Sequence, residues 1–356
     1  MNFYAMITSE FSNGGFNVSI ALLITLVLSL GVIFVNGWTD APNAIATAVS
    51  TKVLRPNVAI GMAVVMNFLG VLVMTYFNAQ VAETISNIVT FDSGGNFRVS
   101  QIALAAALFS IVVWTVAAWY FGIPTSESHA LIAGLTGAAM ALGGLHAVNG
   151  NEWIKVLIGL VVSTLMGFIG GFLISKIIVW LFRDTPRRKA NQIFTVGQAV
   201  AAGANAFLHG AQDGQKFMGV FMLGLYYNDI VEKSGTGFAI PLWVMVLCSV
   251  TMGIGTSVGG MKIIKSVGMD MVKLEKYQGF SADVTAAICL FLSSVFGIPV
   301  STTHTKTTAI MGVGASKRFS SVDWRIVKEM IYAWILTFPG CGIIAFIMVK
   351  FLLLIL

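Results

Sequence analysis

Ten apolar stretches separated by short loops leave this chain few ways to fold. They run over residues 17–50, 57–80, 101–121, 125–145 and 153–182, then 191–227, 240–260, 281–297, 301–314 and 324–356. A bilayer crossing takes about 20 mostly apolar residues, and hydrocarbon satisfies no backbone N–H or C=O, so such stretches must become helices. Only 10% of the residues are charged and 57% are hydrophobic, too little polar surface to wrap a water-facing core. The sequence therefore predicts an all-α polytopic membrane protein with about 10–12 transmembrane segments. The longest stretches exceed the bilayer, because 30 helical residues measure about 45 Å against a hydrocarbon core of about 30 Å. Gly167, Gly170, Gly171 and the Pro339–Gly340 pair are the expected kinks. Cys248, Cys289 and Cys341 all fall inside apolar stretches and read as buried thiols. No short apolar region with a small-residue cleavage site precedes the first long stretch, so no removable signal peptide is expected.

The loops give an orientation. Lys52 and Arg55; Arg183, Arg187, Arg188 and Lys189; Lys262, Lys265, Lys273 and Lys276; and Lys317, Arg318, Arg325 and Lys328 fall on one side, fourteen of the 21 basic residues. The opposite loops hold Arg98, Lys155 and Lys233 among several acids. Basic residues collect in cytoplasmic loops, which explains the net charge of +6 without nucleic acid and puts both chain ends outside a cell membrane.

Two motifs recur. Gly37-Trp38-Thr39-Asp40-Ala41-Pro42-Asn43 is similar to Gly210-Ala211-Gln212-Asp213-Gly214-Gln215-Lys216, 173 residues later. Gly122-Ile123-Pro124-Thr125-Ser126-Glu127-Ser128-His129 is similar to Gly297-Ile298-Pro299-Val300-Ser301-Thr302-Thr303-His304, 175 residues later. Two motifs recurring at nearly one offset indicate a duplicated unit. Five stretches separate the copies, and because five is odd the second copy must be upside down. The expected organisation is a first inverted repeat over 1–182, a short basic cytoplasmic loop over 183–190 and a second inverted repeat over 191–356. Inverted repeats with interrupted or re-entrant helices are the mark of secondary transporters with a site near the midplane.

The second motif reads as a helix start. Proline disfavours helix in the residue before it, and Ser126 or Ser301 can then cap the helix that follows. Free N–H groups and the positive dipole end would face an anion there. Ser126, Ser128, Ser301, Thr302 and Thr303 add hydroxyls suited to a tetrahedral oxyanion. The first motif points to cations. Asp40 and Asp213 stand in apolar stretches, where a charge costs on the order of 3 kcal/mol, with Thr39, Asn43 and Gln212 beside them as neutral oxygen donors. Lys216 lies one helical turn from Asp213 and could pair with it. His129 and His304 read as structural hydrogen-bonding groups; His209 stays open between a structural role and proton carriage, and Lys306 between facing the site and reaching an interface. A phosphate dianion with both aspartates would bring four negative charges together. Lys216 and Lys306, if both faced it, would leave two for monovalent cations or protons, because net charge at the midplane is expensive.

The stretches Gly-Trp-Thr-Asp-Ala-Pro-Asn-Ala at 37–44, His-Gly-Ala-Gln-Asp-Gly-Gln-Lys at 209–216 and Pro-Val-Ser-Thr-Thr-His at 299–304 resemble the PiT inorganic phosphate transporters, as do Lys265-Ser266-Val267-Gly268 and Gln278-Gly279-Phe280. The resemblance covers nearly the whole chain. It implies a phosphate and cation site built from Asp40, Asn43, Asp213 and Lys216 with Ser126, Ser128, Ser301, Thr302 and Thr303. Trp38-Thr39 and Gln212 depart from the family's commoner residues before each Asp, and Asn67 stands where sodium-coupled eukaryotic relatives tend to carry glutamate.

The function expected is secondary active transport of inorganic phosphate coupled to sodium or proton uptake, by alternating access. Phosphate contacts are assigned to Asn43, Ser126, Ser128, Lys216, Ser301, Thr302 and Thr303, and cation contacts to Thr39, Asp40, Gln212 and Asp213, with sodium at the two aspartates. No cofactor beyond the co-transported cation is expected. The partners expected are phosphate, the cation, the lipid bilayer and a second copy of the chain. The alternatives are carriage of another oxyanion such as sulfate, an intramembrane enzyme using Asp40 and Asp213 as a carboxylate pair, and a passive anion channel.

Overall fold

The computed structural model describes residues 20–91, 97–121, 125–228, 230–235, 237–258, 264–265 and 271–355. Helices dominate: α1 (Ile20–Thr39), α2 (Pro42–Ser50), α3 (Pro56–Phe77), α4 (Gln80–Ser86), α5 (Phe97–Tyr120), α6 (Glu127–Gly143), α7 (Gly150–Leu181), α8 (Arg187–His209), α9 (Gln215–Tyr226), α10 (Leu242–Val258), α11 (Lys276–Val295), α12 (Thr302–Lys317) and α13 (Trp324–Ile355). Among the described residues seven segments are long and apolar enough to cross a membrane, α1 and α2 counting together as one. The stretch 191–227 is helical from within α8 to α9, joined by a single π-helical turn over Gly210–Gly214. The short α4 and a two-stranded hairpin, Lys233–Ser234 against Gly237–Phe238, are outside the ten apolar stretches.

The long helices α7 and α13 turn one flank outward. Along α7, Ile154, Leu157, Ile158, Val161, Leu165 and Ile169 are exposed at three- and four-residue spacing, the stripe a lipid-facing helix needs. Their inner flanks hold the two short helices that carry the capping serines: α12 packs on α7 and α6 packs on α13. Each pairing joins the first half of the chain to the second. Gly167 and Gly171, two of the glycines expected as kinks, make these contacts, and α7 is helical through them. A Cβ on Gly167 would come within 2.1 Å of Thr308 Oγ1, and one on Gly171 within 2.4 Å of the Ala309 carbonyl. Pro339 and Gly340 likewise lie inside the continuous α13.

Loop residues line two polar cavities. Arg187, Arg188 and Lys276 line one cavity of about 620 Å³, and Lys317 pairs with Glu275 at 2.7 Å. Glu83, Glu152, Lys155, Lys233, Gln80 and Gly297 line a second polar cavity of about 630 Å³. Gly297 is the first residue of the second helix-start motif, so this vestibule reaches within a few residues of Ser301. Residues 122–124, Lys262 and 266–268 of the motifs and loops lie outside the described residues.

Candidate functional site

Both Asp motifs interrupt a helix. After α1 the chain makes a turn at Asp40 and Ala41, with the Asn36 carbonyl accepting from both Asp40 N (2.9 Å) and Ala41 N (3.2 Å). In the second half the π-helical turn holds Asp213. A wide turn of this kind loosens the regular backbone bonding and turns polar groups inward. Here it occurs where α3 approaches closely: a Cβ on Gly210 would sit 2.3 Å from the Asn67 carbonyl.

The two aspartates, buried to 2% and 0% exposure, meet each other's halves. Asp40 Oδ1 accepts from Thr303 Oγ1 and from Asn43 Nδ2 (2.6 Å), and Asn43 Nδ2 also reaches Thr303 Oγ1 at 3.2 Å. Asp213 Oδ1 accepts from Lys216 Nζ (2.6 Å) and Ser128 Oγ (3.5 Å). Its Oδ2 accepts from Thr302 Oγ1 (3.0 Å) and Asn36 Nδ2 (3.3 Å), with His209 Nε2 also at 3.3 Å. Thus the first aspartate bonds to the second helix start, and the second aspartate to both starts. Asp40, Asp213 and His209 each bring one ligand atom to within 4.8 Å of the others. Asp40 Oδ2, Asn43 Oδ1 and Asn36 Oδ1 are buried acceptors with no donor among the described residues. Such an all-oxygen surplus suits a hard cation.

Ser126 and Ser301 are the N-caps of α6 and α12. Ser126 Oγ accepts from His129 N (3.3 Å) and Ser301 Oγ from His304 N (3.1 Å). The first N–H groups of a helix have no partner within it, so the amides of Glu127, Ser128, Thr302 and Thr303 are the donors an anion would meet.

Other residues go elsewhere. Thr39 Oγ1 has the Val35 carbonyl (2.9 Å) and Glu127 as alternative acceptors for its one proton, and Gln212 Nε2 donates to Ser294 Oγ (3.0 Å) and the Ile298 carbonyl (3.4 Å), so neither side chain is bonded to an aspartate. Lys216 is fully buried and its three ammonium protons have three protein acceptors: Asp213, Ser128 Oγ (2.7 Å) and the Val300 carbonyl (2.5 Å). Lys306 is bound to Asp283, which also takes Thr47 Oγ1 (2.7 Å) and Asn205 Nδ2 (3.2 Å). Lys306, left open between the site and an interface, is thus paired with an aspartate, and its charge does not enter the count at Asp40 and Asp213. Asp283 escaped the sequence reading, although a lone acid in the apolar stretch 281–297 was a signal for it. The hydrogen bonding expected of the repeated histidines is corrected for the ring of His304. His129 Nδ1 and both ring nitrogens of His304 have no hydrogen-bond partner among the described residues. The rings pack together, His129 edge-on to His304 at 4.4 Å and His304 tilted on Trp334 at 3.6 Å between centroids. His209 is held by Asn67, whose Oδ1 lies 2.7 Å from Nδ1, which turns Nε2 towards Asp213.

A sequence model described as the phosphate transporter family matches residues 36–190 and 182–345, nearly all of the chain. This protein belongs to that family. A relative from Bacillus subtilis (strain 168), named "Probable low-affinity inorganic phosphate transporter", is 38% identical over 325 residues, covering 90% of this chain and 95% of the relative. One of the same name from Rhizobium meliloti (strain 1021) is 39% identical over 326 residues, covering 91% and 94%. A solved structure titled "The sodium-dependent phosphate transporter" superposes with a TM-score of 0.81 over 94% of this chain and all of that one, at 22% identity, and so shares the fold. Family and fold together make the chain a multi-pass membrane transporter and leave the enzyme reading without support.

Proposed function

We propose that this family member carries inorganic phosphate inward across the cell membrane with a monovalent cation, sodium or proton, through two inverted repeats that expose one midplane site alternately to each side. The observation that carries the reading is the meeting of both helix starts on the two aspartates: Ser128 and Thr302 on Asp213, Thr303 on Asp40. It accounts for coupling in physical terms. A hydroxyl has one proton to donate. In the structure Ser128, Thr302 and Thr303 spend theirs on carboxylates that compete with phosphate for the same helix ends. A cation on Asp40, bound also by Asn43 and the spare oxygens around it, satisfies that carboxylate and frees Thr303. Phosphate then takes the freed Thr303 hydroxyl and the amides of α6 and α12. Phosphate affinity should therefore rise with cation concentration. The capping Ser126 and Ser301 fix the two helix ends, while Thr39 and Gln212 hold the backbone around each interruption.

The test is radiolabelled phosphate uptake into proteoliposomes under an inward sodium gradient, an inward proton gradient or neither, with sulfate as competitor. Accumulation above equilibrium is expected only with a cation gradient. Equal flux under all three conditions makes the protein a passive channel, and full competition by sulfate widens the substrate to tetrahedral oxyanions. The inverted repeat has its own test. Single cysteines replacing Arg55 and Lys233, in a background without reactive native thiols, should label from opposite faces of intact cells, with Arg55 inside. Labelling of both from one side would remove the inverted arrangement and the outside placement of the chain ends with it.

A further inference from the structure

The two Asp motifs differ at one chemically decisive place. Three residues after Asp40 stands Asn43; three residues after Asp213 stands Lys216, at the same offset of 173. The side chains occupy matching positions. Asn43 Nδ2 bonds its aspartate at 2.6 Å and Thr303 at 3.2 Å; Lys216 Nζ bonds its aspartate at 2.6 Å and Ser128, the residue equivalent to Thr303, at 2.7 Å. The amide brings an oxygen that has no donor, whereas the lysine brings a full positive charge and no oxygen.

We propose that Lys216 is a built-in cation: its ammonium fills, in the second Asp motif, the position where an exchangeable monovalent cation would otherwise bind. The inference rests on the cation-coupled reading above and sharpens it. The surroundings of Nζ are those of a small hard cation, namely a carboxylate oxygen, a hydroxyl oxygen and a backbone carbonyl oxygen, all within 2.7 Å and all buried. The carbonyl belongs to Val300, immediately before the second helix start, so the charge also ties the Asp213 turn to the anion-binding end of α12. A tethered ammonium cannot leave with the substrate. The second motif therefore neutralises its aspartate in every state of the cycle, and only the Asp40 motif exchanges a cation with solution. The consequence is one fewer coupling cation per phosphate than two like Asp motifs would carry.

The test replaces lysine with the first motif's residue. Full-length wild type, Lys216→Asn and Lys216→Met are purified in detergent and melted across a sodium series, with choline holding ionic strength. Lys216→Asn restores an oxygen and leaves a vacancy, so its Tm should fall in choline and climb with the logarithm of sodium concentration more steeply than wild type. Lys216→Met supplies neither charge nor oxygen and should fall without an equal sodium response. In proteoliposomes, Lys216→Asn should need one more sodium per phosphate than wild type at the gradient that nulls net flux. A Lys216→Asn protein that shows no steeper sodium response than wild type, or that is unfolded at every sodium concentration, makes Lys216 an ordinary ion-pair partner and overturns the proposal. Wild type that moves no phosphate under any gradient sinks the transport reading instead, while the melting series still decides on Lys216.

Discussion

Asp40 and Asp213 are equally buried at matching helix interruptions, yet the chain treats their charges differently. Asp213 is bonded by an ammonium, two hydroxyls and an amide, with an imidazole in reach. Among the described residues Asp40 is bonded by the neutral Asn43 and Thr303, its second oxygen has no donor, and the same imidazole lies within 4.8 Å. An ionised group inside a membrane needs a counter-charge. Where the chain supplies one the carboxylate becomes part of the framework; where it does not, the counter-charge has to come from solution. The same contrast separates Asp283, locked to Lys306, from Asp40.

The comparison breaks first at Asp213. Asp213→Asn leaves Lys216 buried and uncompensated, which should cost about 3–5 kcal/mol. A strongly lowered Tm and poor recovery of folded protein are expected; a Tm equal to wild type would show that the ion pair is not part of the framework. Next come the hydroxyls. Ser126→Ala with Ser128→Ala, and separately Ser301→Ala with Thr303→Val, should each weaken apparent phosphate affinity by about ten- to a hundredfold, since a hydrogen bond to a charged group is worth roughly 1.5–3 kcal/mol. Some binding should survive either pair of changes because the helix amides remain. A pair that leaves phosphate affinity untouched, in protein that inserts normally, would confine the anion to the other helix start. The smallest effect is expected at the support of α12. Gly167→Ala pushes a methyl against Thr308 and should cost about 1–3 kcal/mol of stability. Calorimetry showing no loss would mean that α7 and α12 can part without disturbing Thr302 and Thr303.

The membrane-crossing helices were legible because hydrocarbon forces any long apolar stretch into a helix, whatever its neighbours. The caps at Ser126 and Ser301 were legible because capping is local, set by a serine before the first turn. The interruptions at Asp40 and Asp213 could be read from their recurrence, but their geometry could not: a turn in one case and a single π-helical turn in the other depends on α3 pressing against Gly210. Pairings across the chain were hidden altogether. Nothing in residues 281–297 or 301–314 says that Asp283 faces Lys306, or that Thr303 reaches across 263 residues to Asp40. The packing role of the α7 glycines was hidden for a related reason. Glycine weakens a helix in isolation, but in a membrane bundle it also lets backbones approach, and only the partner helix reveals which role applies.

The unlike treatment of the two aspartates is tested most directly at Asp40. Phosphate uptake into proteoliposomes is measured for wild type and Asp40→Asn, with and without an inward cation gradient, after both proteins are shown to melt alike. Wild type should accumulate phosphate against its gradient only when the cation gradient is present. Asp40→Asn, which loses no ion-pair partner, should stay folded and fail to accumulate under any gradient. Accumulation by Asp40→Asn with the cation dependence of wild type would contradict the account, because the carboxylate without a built-in counter-charge would then have no part in coupling.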